Sequence, residues 1–156
     1  MEHGPGLYMT TNLETAWKYA KGGGRLYLFE LDDDLQWITG AKIPLAHMLD
    51  FLGTLRRIPK RGQVYSDLRK QEGRFANDLV PASILVNVLV NADALGGDNG
   101  PDLAHFLIQH DIDGDCVKQG GEDWVVLWNM SKVIGYQSRS RAEIPVEIYD
   151  LPKVCP

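Results

Sequence analysis

The chain has 156 residues, 44% of them hydrophobic, and a formal net charge of -5 from 16 basic and 21 acidic side chains. The length suits a single domain spanning residues 1–156, and the apolar content argues against disorder. The acidic balance argues against a broad nucleic-acid surface but leaves room for a local basic patch.

Leu7 to Thr10 reads as a short strand. Thr11-x-x-Glu14 has the spacing of a capping box, and Leu13, Ala16, Trp17 and Ala20 continue at helical period. Gly22-Gly23-Gly24 is expected to end that helix, because glycine takes left-handed dihedrals without steric cost. Arg25 to Leu31 is apolar on both alternating faces, which predicts a central strand closed by Asp32-Asp33-Asp34. Leu35 to Ile38 reads as a further short strand.

Pro44 to Arg57 carries Leu45, Met48, Leu49 and Leu52 at helical spacing and ends in basic residues that suit a helix C-terminus. Pro59 to Gly62 is a break, and Val64 to Asp78 is weakly helical and polar. Pro81 to Leu95 is an apolar helix candidate whose valines leave a strand open. After the loop Gly96 to Gly100, Pro101 suits a first helical position, and Leu103, Phe106, Leu107 and His110 make a buried stripe. Asp115 to Lys118, Trp124 to Trp128, Lys132 to Ser138 and Pro145 to Tyr149 are strand candidates. Helices cluster in the middle and strands at both ends, which predicts an α+β fold. No repeat and no low-complexity tract is visible.

Cys116 and Cys155 are too few for a disulfide framework, so free thiols and a cytoplasmic residence are expected. No basic-then-apolar leader is visible at the N-terminus. The longest apolar run, Ile84 to Val90, is interrupted by Asn87 and falls short of the roughly 20 residues of a membrane helix, so no membrane partner is expected.

Tyr8 on a strand and Tyr19 on the next helix can be presented to one place, where two aromatic faces would sandwich a flat ring. The bland alternative is two core tyrosines with their hydroxyls at the edge. Glu122-Asp123-Trp124-Val125-Val126-Leu127 sets two acids at the start of a buried strand. Asp111, Asp113, Asp115 and Glu122 match acidic places of a calcium loop, but Cys116 stands where that loop needs glycine and a strand follows in place of the exit helix. A solvated turn is the simpler reading of these aspartates, and no metal is expected. Arg56, Arg57, Lys60, Arg61, Arg69, Lys70 and Arg74 form either a solvated face or a contact for phosphates or an acidic target.

Gly6-Leu7-Tyr8-Met9-Thr10, then Ala16-x-x-Tyr19-Ala20 and the strand Arg25 to Leu31, resembles the nicotinamide-binding segment of the ADP-ribosyltransferase superfamily. The closer likeness is to the branch with a His-Tyr-Glu site, which includes the poly(ADP-ribose) polymerases and many small bacterial and phage enzymes. The helix Leu103 to His110, the turn Asp111 to Gly114 and the strand from Glu122 are similar to the family's last motif. The matches cover about half of the chain and keep the family's order.

The resemblance implies split antiparallel β-sheets with a helical insertion in the middle. It implies NAD as substrate, bound by Gly6, Tyr8, Thr10 and Tyr19, with ADP-ribose passed to a protein, nucleic acid or small-molecule acceptor. Nicotinamide would leave as positive charge develops on the ribose, and a carboxylate would stabilise that charge.

Two departures from the family stand out. Its histidine–glycine–threonine/serine strand belongs a few dozen residues before the Tyr8 position, and His3-Gly4 is too close to serve; that strand is expected to be absent, relocated or outside this chain. His110, on an apolar stripe, reads as a core histidine. The acid is also displaced: Asp123 holds the family register, while Glu122 has the residue type and the reach. Strand neighbours point to opposite faces, so only one can enter the cleft; Glu122 is preferred, with Gly120-Gly121 supplying a bulge that turns it inward. An inactive binding module for a protein partner or nucleotide is the alternative.

Overall fold

The computed structural model describes residues 4–20, 24–144 and 151–156. The molecule is α+β, with five α-helices and small antiparallel sheets among the described residues. Strand β1 (Leu7–Thr10) and helix α1 (Leu13–Tyr19) form where the hydrophobic pattern predicts them. The cap differs. Asn12, not Thr11, is the N-cap, and its side chain accepts from the Thr15 amide at 2.9 Å. The Thr11 hydroxyl instead accepts from the backbone amide of Asp123 at 2.9 Å, so the turn is tied to a distant strand. The helix closes at Ala20, whose N–H reaches the carbonyls of Ala16 and Trp17. Gly22 and Gly23 of the expected glycine cap lie outside the described residues.

Strands β5 (Gly114–Gln119) and β6 (Glu122–Leu127) make a hairpin, and β1 joins its other side in the order β1-β6-β5. Gly120 and Gly121 have φ of 61° and 80°, and Gln119 pairs with Glu122. Positive φ at both central positions is what a type I′ two-residue hairpin turn requires, so these glycines are the turn and not the expected bulge.

Strand β2 (Arg25–Leu31) pairs with β7 (Val133–Ser140) as a two-stranded ribbon among the described residues. The expected central position does not hold. Its aromatic residues pack on one another along the ribbon, Tyr27 on Phe29 and Phe29 on Tyr136, and Tyr27 and Tyr136 remain exposed. Cross-strand aromatic contacts satisfy the same residue pattern that burial between two layers would. The expected short strand at Leu35 to Ile38 is reduced to one parallel bridge between Trp37 and Gly114. The candidate strand Pro145 to Tyr149 lies outside the described residues.

The helical middle supplies most of the core. Strand β3 (Lys42–Pro44) leads into α2 (Leu45–Thr54), and β4 (Leu79–Pro81) leads into α4 (Ala82–Asn91). The two strands pair, with fully buried Ile43 opposite fully buried Val80. Pro44 and Pro81 hold the N-cap position of each helix at φ near the value proline imposes. One sequence offset relates Ile43 to Val80, Leu45 to Ala82, Met48 to Leu85 and Leu52 to Leu89, all buried. This is an internal strand–helix duplication in a chain that reads as lacking repeats; hydrophobic position is repeated, with little residue identity.

Helices α3 (Arg61–Arg69) and α5 (Asn99–Gln109) close the cluster through Val64, Leu68, Leu103 and Leu107, and Phe51 stacks on Phe106 at 4.4 Å. Val126 and Trp128 attach the three-stranded sheet to this core. Asp113 is buried, not solvated. Its carboxylate accepts from the Gln36 amide at 2.9 Å and the Asn129 side chain at 2.7 Å, so it bolts the loops on either side of the sheet.

Candidate functional site

The β1–β6 ladder decides which residues share a face. Tyr8 lies opposite Val126 and Thr10 opposite Trp124. Directly opposed residues point the same way, and alternate residues of one strand do too. Tyr8, Thr10, Glu122 and Trp124 therefore occupy one face, and Met9, Asp123 and Val125 the other.

Helix α1 covers the first face at the Glu122 end. The Thr15 hydroxyl donates to Glu122 Oε2 at 2.8 Å, and the Tyr19 ring meets Trp124 edge-on, with centroids 5.6 Å apart and planes at 88°. The match is one of repeat lengths. Four residues of helix rise about 6 Å, two residues of strand rise about 6.8 Å, so Thr15 and Tyr19 fall in step with Glu122 and Trp124. Trp124 stands between the two tyrosines, touching Tyr19 and lying diagonal to Tyr8 in the ladder, a relation that places Cα atoms about 7 Å apart.

Tyr8 sits at the far end of this face. The partner of Tyr8 is four residues from Glu122 along β6, a rise of about 14 Å. Its hydroxyl donates to the Gly4 carbonyl at 2.5 Å; Tyr8 is 43% exposed and Tyr19 68%. The Thr10 hydroxyl accepts from the Asn12 amide at 3.2 Å. Gly6 carries the chain past Trp128: a Cβ built there would lie 2.8 Å from the Leu127 carbonyl oxygen and 3.0 Å from Trp128 Cδ1, at φ 148°. Gly6 is thus required by close backbone approach.

Asp123, the other candidate acid, is turned away from this face and is 2% exposed. Its Oδ2 accepts from the amides of Val154 and Cys155 at 2.5 and 2.8 Å. Burial pushes its carboxyl pKa up, but those two amides, with Lys153 and Lys118 nearby, outweigh burial and hold it below the usual aspartate value. Asp123 is an anchor for the C-terminal segment. Leu151 donates from its amide to Thr11 O, and Lys153 Nζ donates to Gly121 O. Cys155 is joined to Cys116 on β5, with Cα atoms 5.4 Å apart. The expected free thiols are therefore a disulfide; two cysteines 39 residues apart carry no pairing signal until the chain folds back.

His47 and His110 meet each other, Nδ1 to Nε2 at 3.2 Å, and His110 also reaches the Phe106 carbonyl. His110 is the C-cap of α5 and is half-buried against Phe106, at the edge of the core and not within it as expected. His105 bonds Gln109.

Sequence reasoning named Tyr8, Thr10, Tyr19 and Glu122, which share this region, and overlooked Thr15 and Trp124. The signal for Thr15 was its position four residues before Tyr19, on the same helix face. No family model, no curated protein and no solved structure matches the chain. No helix among the described residues is long and apolar enough to cross a membrane.

Proposed function

We propose that the chain is an NAD-dependent ADP-ribosyltransferase that releases nicotinamide and passes ADP-ribose to a macromolecular or small-molecule acceptor. One observation carries this reading: Glu122, two residues from the aromatic pair Trp124–Tyr19, has its carboxylate oriented by Thr15 on the face it shares with Tyr8 and Thr10. The aromatic rings at Trp124 and Tyr19 hold the planar pyridinium, Thr10 borders the ribose, and Glu122 stabilises the positive charge that develops on the ribose carbon.

A binding module without turnover is the second reading. It is favoured by the engagement of the site groups with protein partners: Tyr8 with Gly4, Tyr19 with Trp124, Glu122 with Thr15. The Cys116–Cys155 bond removes the support for a cytoplasmic residence and favours an oxidising compartment, as for a secreted effector.

Incubation with nicotinamide-labelled NAD separates these readings. Wild type should release nicotinamide, with a rate loss of about 100-fold in Glu122→Gln, the scale of removing one electrostatic stabiliser, and weaker NAD binding in Tyr19→Ala. Equal release by wild type, Tyr8→Ala, Tyr19→Ala and Glu122→Gln would rule out this site. NAD binding without release by wild type selects the binding module.

A further inference from the structure

We propose that the exposed face of α3 is a docking site for the phosphodiester backbone of a nucleic acid. The first observation is charge segregation. Residues 56–74 hold seven of the 16 basic side chains and two of the 21 acidic ones, a local charge of +5 in a chain of -5. The remainder of the chain therefore carries -10. All seven cations are exposed. Such a bipolar surface attracts a polyanion to one side only and repels it elsewhere, which sets orientation as well as encounter.

The second observation is that the cations are left unneutralised. Lys70 pairs with Asp67, and Arg56 with Asp98. Arg57, Lys60, Arg61, Arg69 and Arg74 have no acidic partner within ion-pair distance among the described residues. Two of these are held together. The guanidinium carbons of Arg61 and Arg69 lie 5.0 and 5.6 Å from the centroid of the same Tyr65 ring, and Arg61 also donates to the Tyr65 hydroxyl at 3.2 Å. Parking two like charges on one ring costs Coulomb energy that a bound anion relieves, and the ring removes much of the entropy lost when an arginine is immobilised.

The third observation concerns what the face lacks. A shallow, open depression is lined by Arg61, Gly62, Tyr65, Ser66, Arg69 and Lys70. None of these belongs to β1, α1 or β6, so it is separate from the Glu122 face. Its one aromatic ring lies beneath the guanidinium groups. A peptide partner is usually anchored by an apolar side chain in a pocket, and none is offered here. A phosphate row needs only donors and charge: arginine forks, a lysine and the Ser66 hydroxyl.

The test is fluorescence anisotropy of a labelled 20-nucleotide single strand against the full chain at several salt concentrations. Wild type should bind with affinity that falls steeply as salt rises. The pair Arg61→Ala and Arg69→Ala should weaken binding by about 10- to 100-fold at low salt and make the log–log salt slope shallower by about 1.4, or 0.7 per lost contact. Arg25→Ala with Arg139→Ala, on the β2–β7 ribbon, should leave both unchanged. Circular dichroism of both pairs should match wild type, since these side chains are exposed. Unchanged affinity in the α3 pair, no binding by wild type, or displacement of the strand by polyglutamate at equal charge concentration overturns the proposal; the last result would assign the face to acidic protein.

Discussion

Breaking the Cys116–Cys155 bond tests whether the C-terminal segment is held by covalent closure or by its contacts. The bond spans 39 residues of sequence. Closing a loop of that size removes about 13 cal/mol/K from the unfolded ensemble, or about 4 kcal/mol at 25 °C. In the folded state Asp123 still holds Val154 and Cys155, and Lys153 still holds Gly121. The loss therefore falls on the unfolded side. In a chain of this length each kcal/mol moves the melting midpoint by about 2–4 °C, so a drop of about 12 °C is expected. Far-UV circular dichroism melts would compare oxidised wild type, wild type fully reduced by a phosphine, and Cys155→Ser. The last two should melt together, well below the first, and only wild type should respond to reductant. If thiol titration shows complete reduction while the midpoint moves by less than about 2 °C, the loop-closure argument fails.

Three further expectations follow from the packing and the site. Asp123→Ala removes the acceptor for two tail amides and should cost about 2 kcal/mol in urea denaturation, since those donors lose a charged partner. Because the folded carboxyl pKa is lowered, its stabilisation is complete above the unfolded value of about 3.9 and is lost as pH falls through the folded value. Wild type should thus lose more stability between pH 5 and pH 3, taken as about one unit either side of that value, than Asp123→Asn; parallel losses would show that the tail clamp is not ionic.

Gly6→Ala should destabilise by about 2 kcal/mol because its methyl group meets the Leu127 carbonyl and Trp128. Gly53→Ala, in the open on α2, should stabilise by about 0.5–1 kcal/mol. Equal effects of the two substitutions would show that close packing at Gly6 is not limiting. Thr15→Val removes the donor that orients Glu122 and should slow nicotinamide release about tenfold, the equivalent of one hydrogen bond to a charged group. An unchanged rate would mean that Glu122 is aligned by something else.

Local features were legible where local physics decides them. The strand at Leu7, the helix at Leu13, the apolar helices of the middle and the strands on either side of Gly120-Gly121 all follow from periodicity and punctuation. That Glu122 and Asp123 face opposite sides of the sheet was also within reach, because alternation on a strand separates neighbours. The bulge expected to turn Glu122 is not there. Gly120-Gly121 forms a turn, and Glu122 faces α1 because the pairing of β1 with β6 puts it there.

What the linear order could not carry is every relation between distant segments. Thr11 was assigned to its own helix and is spent on Asp123. Cys116 and Cys155 look like separate thiols until the tail crosses β5. The strand–helix duplication is hidden because the core constrains apolarity and volume at each position more than residue identity. Residue types and their spacing settled most of the helices and the strands β1, β2, β5, β6 and β7, but not the short pair β3 and β4. The tertiary structure alone decided which face meets which, since a side chain's partner is chosen by the three-dimensional approach of backbones, to which sequence distance gives no access.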